Sequence, residues 1–231
     1  MYLQKVLQRF NIDGDTKTVS TLLAPHFKLK VTMSPTTIKD HEYMTRVPYA
    51  SAVGSLMYAM VCTRPDFSQV VSMISRYMHD PGKGHWEAKK WVLRYIKGII
   101  DVGLIFEKNS TGKKECIGYA DSDYVGDLDK RQSTTGYVFT LSQAPVSWRS
   151  ILQSTVALST TEAEYKTMTV VMKEAIWLQG LLDDLGIDHD LLKINCDSMS
   201  TIYLAKNQVY HARTKHIDVR FHFAREILDG R

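Results

Sequence analysis

The sequence predicts an α/β protein in which a mainly helical segment precedes a mixed sheet. Apolar residues recur at helical spacing through the first half of the chain, between breaks at proline and glycine. In the second half, three short runs of alternating apolar and polar residues precede a long helical pattern that begins after Ser159. A fourth apolar run follows that helix. We therefore expect three antiparallel strands, a helix, a parallel strand and two helices.

The first half is expected to hold four helices and one long irregular connection. The predicted helices cover residues 2–10, 49–62, 66–80 and 85–97. Residues 11–45 show no sustained period, so an extended linker or strap is predicted there. A short strand is predicted over residues 102–106. The polar turn at 108–114 marks the boundary, which gives a first domain at 1–112 and a second at 113–231.

The second half is expected to form the sheet. The predicted strands cover residues 117–121, 136–141, 146–148 and 191–197. Residues 142–145 have the length of a hairpin connection. A capping-box pattern from Ser159 to Glu162 begins a helix that runs to about Leu185, and Ser198 and Thr214 can each begin a further helix.

Composition indicates a soluble globular protein in a reducing, intracellular compartment. The formal net charge is +4, with a basic first half and a slightly acidic second half, which suits phosphate binding beside a cation site but is equally typical of a solvated surface. Three distant cysteines give neither a disulfide framework nor a zinc pattern. No signal peptide and no run of membrane-spanning length is present, so no membrane association is expected.

Three acidic residues occupy positions typical of a metal site. Asp121 ends the first predicted strand, Asp197 ends the fourth, and Glu164 lies in the first turns of the long helix. Carboxylate oxygens are the ligands that Mg²⁺ prefers. Asp123 is the rival of Asp121, and Glu162, better explained as a capping partner, would replace Glu164 if the helix register differed by half a turn.

Other acids near the first strand have less chemical significance. Asp127 and Asp129 are expected to be solvated loop acids. A calcium loop beginning at Asp121 is excluded, because Val125 stands where an oxygen ligand is needed and Gln132 where a bidentate glutamate is needed.

Several segments carry a resemblance to a known family. They are GYADSDYVGD, STTGYVF, ALSTTEAEY, KEAIWLQGLL, INCDSMSTIYLAKN and HARTKHIDVRFHFARE. In this order they resemble the ribonuclease H region of copia-type LTR retrotransposon Pol polyproteins. The upstream segments VPYASAVGSLMYAMVCTRPD and HWEAKKWVLRYIKG resemble the end of the reverse transcriptase that precedes it, so the first domain is expected to be a thumb- or connection-like segment.

The resemblance implies a ribonuclease H-like fold and a metal-dependent nuclease. Asp121, Glu164 and Asp197 match the family's first three metal-binding carboxylates, which would hold two Mg²⁺ or Mn²⁺ ions and cleave the RNA strand of an RNA:DNA hybrid. His216 is a candidate positioning or product-release group, and Asp218 is a weaker one; both also suit the polar face of a helix. The expected protein partners are the polymerase core and integrase of the same polyprotein, in a cytoplasmic particle or the nucleus.

Basic residues in both halves are candidate contacts to the nucleic-acid backbone. They are Lys89, Lys90 and Arg94 in the helix at 85–97, and Lys130, Arg131 and Ser133 after the first strand. A core helix with hydrated lysines explains the first group equally well, and a hydrated turn explains the second.

The resemblance also leaves a non-catalytic alternative open. The family's last strand, last helix and fourth carboxylate would follow Arg231, so a C-terminally truncated domain is expected. The competing prediction is a retroelement relic or a co-opted module that binds nucleic acid or protein. A secreted effector is a more distant alternative, against which the absence of a signal peptide counts.

Overall fold

The computed structural model describes residues 2–12, 14–106, 114–190 and 192–206. The chain divides into two compact units, Met1–Leu104 and Ile105–Arg231. The predicted boundary after residue 112 falls within 107–113, outside the described residues. Within the described ranges, no helix is both long and apolar enough to cross a lipid bilayer.

The first unit is helical, as predicted. Its helices are α1 (Tyr2–Arg9), α2 (Ile38–Thr45), α3 (Tyr49–Thr63), α4 (Ser68–Ser75) and α5 (Lys83–Gly98). Helix α2 lies inside the stretch predicted as an irregular connection. It begins because the Thr37 hydroxyl accepts a hydrogen bond from the Asp40 N–H at 3.2 Å, an N-cap whose signal is the Thr-x-x-Asp spacing.

Most of the long connection is irregular, as predicted, and it is tied to α5. We call residues 14–34 the strap. The indole N–H of Trp91 donates to the Thr21 carbonyl at 2.9 Å, and Arg94 Nε donates to the Lys17 carbonyl at 2.7 Å. These bonds satisfy backbone acceptors that no regular element pairs, so side chains of α5 substitute for secondary structure along the strap.

A buried histidine joins the far end of the strap to the start of α5. The Nδ1 atom of His85 accepts a hydrogen bond from the Gly82 N–H at 2.9 Å, while Nε2 lies 3.0 Å from the Lys30 carbonyl. The first bond requires an unprotonated Nδ1, which leaves Nε2 as the donor. The ring also stacks on Tyr77, with centroids 4.1 Å apart.

The second unit contains the predicted mixed sheet. Its strands are β1 (Cys116–Asp123), β2 (Thr134–Leu141), β3 (Ala144–Leu152) and β4 (Lys193–Cys196), and its helices are α6 (Thr160–Asp184) and α7 (Met199–Lys206). The strand order is β3-β2-β1-β4. The first three strands are antiparallel and β4 is parallel to β1, which confirms the predicted α/β architecture.

One predicted strand is wrong. Residues 102–106 have no regular secondary structure. Val102 is 61% exposed and Ile105 is 81% exposed, so these apolar side chains have no sheet against which to pack. An apolar run forms a strand only when a partner strand is available, and none pairs with this run in the described chain.

The hairpin between β2 and β3 is confirmed, with a tighter turn than its sequence indicates. Ser142 and Gln143 both have positive φ, at 49° and 69°, and Leu141 pairs with Ala144. Two positive φ angles are the mark of the two-residue turn that matches strand twist. As a result β3 begins at Ala144 and is longer than predicted.

Helix α6 packs on β1 and β2 and so determines where its first turns lie. Val171 and Leu178 of α6 belong to one buried cluster with Cys116 and Phe139 of the sheet. Gly118 of β1 accommodates the Phe139 ring, since a Cβ at Gly118 would lie 2.5 Å from Phe139 Cε1. This packing directs the N-terminal turns of α6 toward the ends of β1 and β4.

Candidate metal centre

Two of the predicted acids meet at one edge of the sheet because of strand register. Strands β1 and β4 are parallel, and Ala120 pairs with Cys196. Asp121 directly follows Ala120, and Asp197 directly follows Cys196. The two aspartates therefore occupy equivalent positions on adjacent strands. Both are exposed to solvent. Parallel strands therefore deliver two carboxylates to the same place, as the sequence predicted.

Glu164 supplies the third carboxylate from α6. Its Oε2 atom is inaccessible to solvent and has no hydrogen-bond partner among the residues that the structure describes. Burial, followed by the negative charges of Asp121 and Asp197, raises the pKa of Glu164 from 4.5 to about 7, although the Ser122 N–H opposes the shift by donating to the carboxylate. The effect of both aspartates on this pKa indicates that all three acids share one electrostatic environment.

A cysteine lies in the same cluster, which sequence reasoning missed. Ligand atoms of Glu164, Cys196 and Asp197 all lie within 4.8 Å of one another. Asp121 lies outside this tight group, although its charge reaches Glu164. Cys196 is a free thiol, and burial raises its pKa. The only sequence signal was its position next to Asp197.

The donor set fits a divalent cation. A buried carboxylate oxygen without a partner is costly, and a bound cation would satisfy Glu164 Oε2 while neutralising the repulsion from Asp121 and Asp197. Oxygen donors suit Mg²⁺ and Mn²⁺, whereas the Cys196 thiol is a ligand for softer ions. The arrangement can therefore concentrate a hard cation at the end of β1 and β4.

Asp123 and Glu162, the alternatives to Asp121 and Glu164, lie against other parts of the second unit. The Asp123 carboxylate folds over the following turn, where a Cβ at Gly126 would lie 2.0 Å from its Oδ2. Glu162 is buried, forms an ion pair with Lys166 at 2.8 Å and accepts the Leu158 N–H at 2.7 Å. Ser159 Oγ accepts the Glu162 N–H at 3.1 Å, which confirms the predicted helix start at Ser159. The reciprocal bond of a capping box, from the Ser159 N–H to the Glu162 carboxylate, stays a prediction.

The loop after β1 requires one correction. Asp127 is only 4% exposed, so the prediction of a solvated loop acid is wrong for this residue. Its Oδ1 accepts the backbone N–H of Asp129 and of Lys130, which closes the turn. The short aspartate side chain is therefore used to satisfy main-chain donors. Asp129 is exposed, as predicted.

The candidate phosphate contacts of this loop differ in their access to solvent. Lys130 and Arg131 are exposed. Ser133 is fully buried, and its hydroxyl accepts the Val125 N–H at 3.1 Å. A nucleic-acid role for the two basic residues stays a prediction, whereas the surroundings of Ser133 account for it as a residue that holds the loop.

The basic residues of α5 are more involved in folding than their sequence indicated. Lys89 is fully buried, and its ammonium lies 3.8 Å from the centroid of the Phe10 ring and 4.3 Å from that of Trp86. Burial, followed by the charge of Lys90, lowers the pKa of Lys89 to about 7. Its position in the core matches the alternative of a core helix better than a phosphate contact.

The other two candidate phosphate contacts of α5 have protein partners. Lys90 forms an ion pair with Glu87 at 2.6 Å on the surface. Arg94, besides its bond to the strap, lies over the Trp91 ring at 5.3 Å. Phosphate binding by Lys90 or Arg94 stays a prediction. His216 and Asp218 lie outside the described residues.

Comparison with known proteins places the chain among retroelement proteins. It is 53% identical over 228 residues, 99% of its length, to the Retrovirus-related Pol polyprotein from transposon TNT 1-94 of Nicotiana tabacum. It is 42% identical over 179 residues, 77% of its length, to the Retrovirus-related Pol polyprotein from transposon RE2 of Arabidopsis thaliana. These matches cover 17% and 12% of the two polyproteins, so the chain corresponds to a small part of each.

A shorter relative is of a different kind. The chain is 48% identical over 135 residues to Secreted RxLR effector protein 161 of Plasmopara viticola, which covers 58% of this chain and 94% of that protein. No protein-family model matches the sequence, and no solved structure does. On these polyprotein matches, which cover between 77% and 99% of its length, the chain belongs to the copia-type retrovirus-related Pol polyproteins of transposons.

Proposed function

We propose that the second unit is a ribonuclease H-like domain that hydrolyses the RNA strand of RNA:DNA hybrids during reverse transcription. The observation that carries this proposal is that ligand atoms of Glu164 and Asp197 lie within 4.8 Å of one another, while the charge of Asp121, on the adjacent strand, raises the pKa of Glu164. Among the described residues, one buried oxygen of Glu164 has no hydrogen-bond partner. A buried carboxylate beside two further acids is costly without a neutralising charge, which supports a role in binding cations.

The order of elements supports the same proposal. Three antiparallel strands, a helix that carries a glutamate and a parallel strand that ends at an aspartate are the arrangement that the ribonuclease H resemblance implies. Fold alone does not assign an activity, because one fold serves many chemistries. The position of the acids within the fold is therefore the stronger argument.

The three acidic residues would act by binding divalent cations, whose positive charge their carboxylates would balance. Asp121 and Asp197 present exposed carboxylates, and Glu164 adds an oxygen from the buried side. Two divalent ions held by these residues would supply an activated water and would stabilise the leaving oxygen. Glu164, whose pKa is about 7, would release its proton to solvent when a cation binds. Recognition of RNA would depend on its 2′-hydroxyls.

The test is cleavage of a labelled RNA:DNA hybrid in Mg²⁺ or Mn²⁺. Asp121→Asn, Glu164→Gln and Asp197→Asn should each reduce the rate by more than the roughly 10–100-fold that outer-shell partners contribute. Asp129→Asn, an exposed loop acid, is the matched control and should retain the rate. Metal-dependent cleavage that survives Asp121→Asn would refute the assignment.

In the intact polyprotein, we expect the domain to act beside other parts of the same chain. The polyprotein relatives are several times longer than this sequence. The polymerase core would supply the hybrid as it copies RNA, and integrase would use the finished DNA. The expected setting is an intracellular particle or the nucleus.

A non-catalytic role is the second candidate, and one observation favours it. The secreted effector that resembles this chain corresponds to 58% of its length, so a comparable segment occurs as a separate protein. Such a protein could bind nucleic acid or protein without turnover. Hybrid binding with no cleavage by the full chain or by a C-terminally extended chain would favour this role over the nuclease.

A further inference from the structure

A buried amide connects the start of α6 to the sheet beside the candidate metal centre. Gln153 follows β3 and is 7% exposed. Its Nε2 donates to the Ala163 carbonyl at 2.9 Å and lies 3.2 Å from Thr135 Oγ1 and 3.3 Å from Thr167 Oγ1. One side chain thus contacts the residue immediately before Glu164 and a residue of β2.

These contacts close a ring of hydrogen bonds around the helix start. Thr135 of β2 pairs with Ser122 of β1, the residue after Asp121. The Ser122 N–H donates to the Glu164 carboxylate. Thr135 Oγ1 also lies 2.9 Å from Thr167 Oγ1. The strand that carries Asp121 and the helix that carries Glu164 are therefore joined at two points.

Gln153 occupies this position at a cost to stability. The Ala163 carbonyl can only accept, which fixes Nε2 toward α6 and leaves Oε1 on the other side. Gln153 Oε1 is buried and has no hydrogen-bond partner within the described part of the chain. An apolar side chain of similar size would avoid that desolvation penalty, so burial alone does not explain an amide here.

A neighbouring ion pair does not provide the same link. Glu162 and Lys166 are one turn apart on α6, and they bond to the preceding segment at Leu158 and Val156. Those contacts order the helix start locally. The bonds to Leu158 and Val156 join α6 to the segment that precedes it, whereas the Gln153 amide joins α6 to β2.

We propose that Gln153 is a positioning residue that sets the distance between the Glu164 carboxylate and the strand end that carries Asp121. The proposal rests on the proposed function, because it assigns Gln153 a role in forming the cation site. Loss of the amide would let the first turns of α6 shift relative to β1, and the carboxylates would no longer converge on one ion. A shift of a fraction of an ångström is enough to weaken a metal site.

The test measures Mn²⁺ binding to the full chain by the electron paramagnetic resonance signal of free Mn²⁺, together with thermal unfolding. Gln153→Met keeps the side-chain volume and removes the donors. We expect the Mn²⁺ dissociation constant to rise on the order of tenfold, with an unfolding midpoint equal to or above that of the wild type. A residue with a merely structural role would lower the midpoint.

Two controls separate positioning from packing. Gln132→Met removes an amide that donates to the Ser154 carbonyl at 3.2 Å but does not contact α6, and it should bind Mn²⁺ like the wild type. Thr169→Val removes a buried hydroxyl whose bond, to the Tyr165 carbonyl, stays within the helix. Equal losses of Mn²⁺ affinity in Thr169→Val and Gln153→Met would overturn the proposal.

The remaining outcomes are also decisive. Wild-type affinity in Gln153→Met would overturn the positioning role and leave the nuclease proposal intact. Absence of a Mn²⁺ site in the wild type, or unchanged affinity in Asp121→Asn, would overturn both. If Gln153→Met fails to fold, Thr167→Val is the alternative variant, because it removes one link of the same ring of hydrogen bonds. Thr167→Val should also weaken Mn²⁺ binding, by a smaller factor. Unchanged Mn²⁺ binding in Thr167→Val would overturn the proposal.

Discussion

Replacement of Glu164 by glutamine should make the protein more stable while it destroys the cation site. The pKa of this carboxyl is raised in the folded protein, from 4.5 to about 7, so the folded state binds more protons than the unfolded chain between those values. The free energy of unfolding therefore falls as the pH rises through that window, and the penalty is fully present above about pH 7. A glutamine carries no such penalty.

The magnitude follows from the size of the shift. One pKa unit corresponds to about 1.4 kcal/mol, so a shift from 4.5 to about 7 sets an upper limit of about 3.5 kcal/mol. Glu164 is only partly withdrawn from solvent, and screening reduces the penalty. We expect Glu164→Gln to raise the free energy of unfolding by about 1–2 kcal/mol above pH 7 and by little below about pH 4.5.

The assay is urea unfolding of the full chain followed by circular dichroism at about pH 4.5 and about pH 8, with and without Mg²⁺. Mg²⁺ should stabilise the wild type by binding only its folded state, and it should leave Glu164→Gln unchanged, so the advantage of the variant shrinks. Glu174→Gln is the matched control on the same helix. Glu174 accepts the Ser147 hydroxyl at 2.6 Å, so this control should gain no stability.

Two results would refute this reasoning. If Glu164→Gln is no more stable than the wild type at about pH 8 without metal, the carboxylates do not repel one another as the geometry indicates. If Mg²⁺ stabilises both proteins equally, the ion binds elsewhere. The first result concerns the electrostatics of Glu164, and the second concerns its role as a ligand.

Three further substitutions test other parts of the structure. Lys89→Met should stabilise the first unit by about 2–4 kcal/mol below about pH 7, and this gain should vanish toward pH 10.5, because burial lowers the pKa of Lys89 from its usual 10.5 to about 7. Urea unfolding at several pH values checks this prediction, and a pH-independent effect would contradict it. Gly82→Ala should lower the free energy of unfolding by about 1–3 kcal/mol in the same assay, since its Cβ would lie 1.7 Å from the Met33 carbonyl oxygen. Gly54→Ala is the control, because a Cβ there would have no atom within 4 Å and should not destabilise the protein. Equal effects of the two substitutions would contradict the close approach at Gly82. Cd²⁺ should give the ultraviolet band of a cadmium–thiolate bond that disappears in Cys196→Ser; a band that persists in the variant would place the bound thiolate elsewhere.

Much of the secondary structure and the three acids could be predicted because their signals are local. The period of apolar residues predicts α5 and α6, and the Ser159 cap predicts where α6 begins. Asp197 is visible as the acid after a short apolar run, whereas Asp121, predicted to end its strand, lies within β1, which continues to Asp123. The strand predicted at 102–106 failed for the same reason, since local apolarity carries no information about whether a partner strand exists.

What the sequence by itself determined is the order of strands and helices in the second unit and the membership of the Pol polyprotein family; it also predicted three carboxylates as metal ligands. Tertiary structure alone decided that Lys89 is buried, that Asp127 closes a turn, that Cys196 lies beside Glu164 and that Gln153 joins β2 to α6. The physical reason is the range of the interactions. Helix periods and caps act over a few residues, whereas burial and side-chain hydrogen bonds depend on residues that are distant in the chain and meet only after folding.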